Sequence, residues 1–145
     1  MPRPPQNYAN HRRWFALYHF FAMPVLLANL VVQSVQAIRT PTLERVWSAV
    51  VALALVGGLV AARAMALIVQ NRLVGLEMRL RLAATLPAEL RPRIPELRLR
   101  QLIGLRFASD EELPALVARC LDGELRTADQ IKRQIVHWRP DWQRV

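Results

Sequence analysis

The chain has 145 residues, of which 53% are hydrophobic and 21% charged, and a formal net charge of +9. That length holds one domain, or a helical pair with one small domain, and excludes anything larger. The single cysteine, Cys120, excludes an internal disulfide and a metal site built from cysteines.

Residues 1–13 read as an extended arm, because Pro2, Pro4 and Pro5 stand among polar residues. Arg12-Arg13-Trp14-Phe15 looks like a twin-arginine export signal, with Val35-Gln36-Ala37 as its cleavage site. The apolar run that follows is much longer than the ~7–15 residues of an export core, so no cleavage is expected.

Residues 14–70 contain two apolar runs. Trp14–Ile38 has no Asp, Glu, Lys or Arg, and Val46–Val69 has only Arg63. At ~1.5 Å per residue the first run is roughly 37 Å long as a helix, against ~30 Å for a bilayer core. The segment therefore predicts a transmembrane helical hairpin. Pro24 frees the Phe20 carbonyl and predicts a kink. Asn29, Gln33 and Gln36 share one helical face, and amides in hydrocarbon are expected to look at protein. In the second run Ala54, Gly58 and Ala62 recur every four residues, a small-residue stripe that permits close helix approach. The amide face is its natural partner, or else another subunit. Trp14, Tyr18, Trp47, Arg45 and Arg63 are expected at the headgroup levels. Thr42 is placed to cap the second helix.

Basic residues flank the free ends of the hairpin (Arg12, Arg13, Arg63, Arg72, Arg79, Arg81), whereas Arg39 and Arg45 in the connector are offset by Glu44. The positive-inside tendency puts both termini in the cytoplasm and the connector outside.

Residues 71–94 begin as an amphipathic extension of the second helix, with Leu73, Leu76 and Leu80 beside Arg72, Arg79 and Arg81. Pro87, Pro92 and Pro95 then break the chain into a short connector. Residues 95–145 read as three short helices: Pro95–Phe107, one opened by a Ser109/Glu112 capping box and ended near Gly123, and one opened by a Thr127/Gln130 box and stopped by Pro140. This tail is too small to be comfortable alone and is expected to lean on the helix extension or on a partner. The fold class is all-α: a transmembrane hairpin and a small cytoplasmic helical tail.

Chemistry-bearing motifs are sparse. Cys120 and His137 lack an orienting group and oxyanion donors, and no phosphate loop or metal-ligand spacing is present. No enzyme activity, metal, cofactor or small-molecule substrate is expected. His19, near the start of the first run, is the one residue placed to ligate a haem or pigment metal, and the ordinary alternative is an interfacial hydrogen bond. Thr127, Gln130, Lys132, Arg133, Gln134 and His137 give the last helix the residues of a nucleic-acid reader. Charge is not concentrated there, so nucleic acid is not the expected partner.

Gln6-Asn7-Tyr8-Ala9-Asn10-His11, Tyr18-His19-Phe20-Phe21 and Pro24 resemble the start of an uncharacterised family of small two-span bacterial membrane proteins. Leu86–Arg93, Leu105–Pro114 and Ile131-Lys132-Arg133 through Trp138–Asp141 resemble the same family. The resemblance implies the two-span architecture in a bacterial inner membrane, and no activity.

The expected function is a non-catalytic accessory subunit of an integral membrane complex, by analogy a respiratory or photosynthetic one. Its partners would be other membrane subunits and lipids. The alternatives are a membrane-tethered nucleic-acid regulator and a homo-oligomeric channel or transport accessory.

Overall fold

The computed structural model describes residues 5–10 and 14–141. Pro2 and Pro4 of the expected extended arm, His11 of the family resemblance, and Arg12 and Arg13 of the topology reading lie outside the described residues. The described chain is all-helical, and it divides into two compact units: Trp14–Leu67, and Ile68 onward together with the N-terminal arm.

The first unit begins with a π-helical turn, Leu17–Ala22, that runs into α1, Met23–Arg39. Pro24 stands at the start of α1 and explains the turn. It has no N–H to offer the preceding ladder, so the backbone widens by one residue and the Met23 N–H bonds the Tyr18 carbonyl. At the other end the Thr40 backbone N–H and hydroxyl both donate to the Gln36 carbonyl, at 3.0 and 3.2 Å. After Pro41, Thr42 accepts the Arg45 N–H at 3.3 Å, the cap expected for the next helix. That helix, α2, spans Leu43–Thr85, 43 residues. The segments Leu17–Arg39 and Leu43–Thr85 are each long and apolar enough to cross a membrane.

The second unit is built on the last part of α2. Val74, Met78, Leu82 and Leu86 recur at four-residue spacing and are buried, giving a helix face a core to build on. A 3-10 turn (Arg91–Glu96) leads to α3 (Leu99–Leu105), α4 (Leu113–Leu121) and α5 (Ala128–Gln134). Their apolar faces close on that stripe around Leu102, Leu105, Phe107, Leu113, Val117 and Ile131. The extension and connector, expected as a separate segment, thus share one core with the tail. The lean of the tail on the helix extension is as expected.

Local signals account for most helix ends. The Thr127 hydroxyl accepts the Gln130 N–H at 3.2 Å while the Gln130 side chain accepts the Thr127 N–H at 3.0 Å, the expected capping box. Gly123, just past α4, has φ +80°, a conformation that glycine adopts without strain. The Ser109 box does not form. Helix α4 starts at Leu113, which places Pro114 in its first turn, where a missing N–H costs nothing. The Glu112 carboxylate crosses instead to the backbone N–H groups of Val136 (3.0 Å) and His137 (3.2 Å).

Helices α3 and α5 approach closely at Gly104, where a Cβ would stand 3.0 Å from the Ile131 Cβ and 3.1 Å from the Ala128 backbone. Gln101 is a buried polar residue of this unit. Its Nε2 donates to the Cys120 and Leu125 carbonyls (3.2 and 2.9 Å), and its Oε1 accepts the Arg98 N–H (2.9 Å). Gln101→Leu keeps the size but strands those groups, so it is expected to lower stability by about 3 kcal/mol, read from chemical denaturation.

Candidate functional site

In the first unit the hairpin brings Tyr18 and Arg63 together, with the guanidinium 5.8 Å from the ring centroid. The two expected anchors at this end are therefore neighbours despite their distance in sequence. Trp14 is exposed near them, and Trp47 and Arg45 are exposed in the first turns of α2, at the opposite end.

His19 sits among aromatic rings, 4.9 Å from both Trp14 and Tyr18 in edge-on geometry. Its Nδ1 is 3.0 Å from the Phe15 carbonyl. A carbonyl only accepts, so this contact is a hydrogen bond when Nδ1 carries the proton, the tautomer in which Nε2 keeps a lone pair. That tautomer suits a ligand that binds through Nε2. Among the described residues no three His, Cys, Asp or Glu side chains cluster in a way that would hold a metal ion.

The amide face and the small-residue stripe do not meet. Asn29 and Gln33 lie half-buried on the inner side of α1, and the Gln33 amide donates to Asn29 Oδ1 at 3.4 Å. Gln36 is exposed. In α2 the inner row is Ser48, Ala52, Val56, Leu59 and Arg63, with Ala52 fully buried. Ala54, Gly58 and Ala62 are exposed on another side, and a Cβ added to Gly58 would meet nothing within 4 Å. The stripe therefore has no partner inside the described chain.

In the second unit, polar residues that sequence reading missed do the fastening. Arg81 lies on the core side of α2, three residues past Met78 and seven past Val74, and its side chain is only 15% exposed. Its Nη2 donates to the Ala108 carbonyl at 2.7 Å and its Nη1 to that of Arg106 at 3.2 Å, while Nε bonds Asp110 at 2.8 Å. An arginine at an apolar-stripe position was the available signal. Arg106 is buried too, with Nε 3.0 Å from Asp141 Oδ2 and its guanidinium 4.2 Å from the Phe107 ring centroid.

The arm docks on this unit, and residues 5–10 are a turn rather than extended chain. Asn7 Oδ1 accepts the N–H groups of Ala9 and Asn10, and the Asn10 side chain bonds the Asn7 N–H and the Pro5 carbonyl. These short polar side chains fold the backbone locally. The turn presents Gln6, buried, whose Oε1 accepts the Asp141 N–H at 2.8 Å. Tyr8 donates to Asp129 Oδ1 at 2.5 Å, with Arg133 stacked 5.2 Å from its ring.

The residues that suggested catalysis or nucleic-acid reading are already engaged. Cys120 is buried, and burial pushes its thiol up to about 11. Thr127 and Gln130 cap α5, Arg133 pairs with Asp129, and the Lys132 amine lies 5.2 Å from the Phe107 centroid. Gln134 accepts from Arg119, and His137 lies beside Glu112.

The whole chain, residues 1–145, matches the model of a family of unknown function, DUF6526. The chain belongs to this family. No curated protein and no solved structure matches it. The segments that carried the family resemblance at the two ends of the sequence meet in space: Gln6 with Asp141, and Tyr8 with Arg133.

Two outcomes test this geometry. The Tyr8 hydroxyl, followed by the nearby basic side chains, holds the Asp129 carboxyl below its ordinary range. A depressed folded-state pKa stabilises the docked arm above about pH 4 and loses that contribution as pH falls through the lowered value. Tyr8 ring resonances are expected to titrate below the ordinary aspartate midpoint, and a midpoint at or above it removes the contact. For Cys120, alkylation at pH 8 is expected to be roughly a hundredfold slower than for a free thiol, and to reach the free rate in denaturant.

Proposed function

We propose that this protein is a non-catalytic subunit of a larger integral membrane complex, with both helices of the hairpin crossing the bacterial inner membrane and both termini in the cytoplasm. The observation that carries the reading is the docking of residues 5–10 on the unit that begins at Ile68. Two parts of the chain that touch lie on the same side of any barrier, so the segment between them crosses an even number of times. That segment contains two helices of sufficient length and apolarity, and their large side chains (Phe20, Leu27, Val31, Leu53, Leu55) are exposed. In water such surface would be costly, and in lipid it is at home.

The subunit role is supported by the unpartnered small-residue side of α2. Ala54, Gly58 and Ala62 leave α2's backbone open to close approach, and van der Waals packing is what joins helices in lipid. Accessory subunits of respiratory and photosynthetic assemblies supply the analogy for the host. The His19 tautomer makes haem or pigment absorbance worth recording alongside it.

The deciding experiment is purification from native membranes in mild detergent, with identification of accompanying proteins and an absorption spectrum. A stoichiometric set of other membrane subunits is expected, and recovery of this chain with nothing else overturns the subunit role. Gly58→Leu adds a side chain where this chain has open space, so the fold is expected to stand while recovery of the partners falls roughly tenfold. Unchanged recovery shows that the stripe is not the contact.

A further inference from the structure

Past Ile68, α2 carries two apolar stripes, and one has no partner. Val74, Met78 and Leu82 are buried in the core. Val69, Leu73, Leu76, Leu80 and Ala83 run along the opposite side, all exposed, with Val69 at 67% and Leu80 at 65%. Their spacing alternates four, three, four, three. This is the seam period of a coiled coil, with Leu73 and Leu80 at a positions and Val69, Leu76 and Ala83 at d positions. A helix whose only task was to hold the tail would carry polar residues there.

The flanks of the stripe select the occupant. Arg72 and Arg79 fall at g positions, on one edge, and Glu77 falls at an e position, on the other. All three are exposed, and none of their side chains has a hydrogen bond or ion pair among the described residues. On the basic edge Leu99 of α3 joins Val69, Arg72, Leu73, Leu76 and Arg79 around a groove of ≈ 560 Å³. We propose that this stripe is the seam of a parallel two-helix coiled coil between two copies of the chain.

In a parallel pair each g residue faces the e residue five positions further along the other helix. Arg72 then meets Glu77 of the second copy, and Glu77 meets Arg72, giving two symmetric ion pairs. Antiparallel pairing would set arginine against arginine. Two copies inserted in one membrane with one topology also run α2 in the same direction, and this step rests on the membrane-spanning reading above. An anionic lipid surface fits less well, because it would face an acidic as well as a basic edge. A self-complementary patch is what a two-fold dimer requires.

The test uses the full chain in native membranes, with Leu73→Cys, Leu76→Cys or Leu80→Cys introduced singly and Glu89→Cys and Asp122→Cys as exposed controls away from the seam. The native Cys120 is buried and stays in place. Under mild oxidation all three seam variants are expected to form disulfide-linked dimers and the controls not to. A link at one seam position alone indicates antiparallel packing, and links at none indicate lipid or another protein; either overturns the proposal. Arg72→Glu is expected to lower the dimer yield at Leu80→Cys about fivefold, and adding Glu77→Arg to restore it. Failure of that rescue overturns the pairing. An alkaline carbonate wash separates this proposal from the membrane reading. Chain that cross-links yet washes off keeps the seam and overturns the membrane reading, whereas chain that stays in the pellet without cross-links does the reverse.

Discussion

A guanidinium on the apolar side of a helix must find partners, and Arg81 is where the second unit meets that demand. Unpaired burial of such a charge costs several kcal/mol, so the turn between α3 and α4 is held where its carbonyls and Asp110 can reach the cation. That placement fixes Phe107 and Ala108, and Ala108 in turn forms an isolated antiparallel bridge with Trp138. Ser109 donates to the His137 carbonyl and Arg139 to that of Phe107. From there Asp141 is in position for Arg106 and for Gln6. The chain of polar contacts runs from α2 to the arm, and each link positions the next.

What the sequence made legible was local. The two helix spans, the Thr42 and Thr127 caps, the Gly123 stop and the number of tail helices all follow from residues within four or five positions of each other. The Ser109/Glu112 box failed because a carboxylate can be outbid by distant donors: two adjacent N–H groups near Val136 satisfy it better than one at its own helix start. Residues 5–10 depart from the expected extension for the same reason. Prolines argued for extension, but the asparagines fold residues 5–10 into a turn whose purpose appears only against Asp129 and Asp141. In the hairpin, spacing groups Asn29 with Gln33 and Ala54 with Gly58 and Ala62, but it does not say which side of α2 turns towards α1.

The basic excess also divides into kinds that composition merges. Arg81 and Arg106 are sheltered, and each neutralises a carboxylate while anchoring the fold. Arg93, Arg119 and Arg133 sit in exposed pairs with Glu96, Glu124 and Asp129, where solvent leaves little net stabilisation. Arg72 and Arg79 stand on an exposed helix edge. Reading the net charge as one attraction to anionic lipid overlooks that part of it is internal structure.

The docked arm imposes an order on biosynthesis. Gln6 and Tyr8 leave the ribosome early, but their partners Asp141 and Asp129 are made 135 and 121 residues later. Until then the arm has nothing to close on, and the hairpin between is already complete. Closure of so long a loop is slow compared with helix formation. Residues 5–10 are therefore synthesised well before the partners they close on and are among the last parts of this chain to fold.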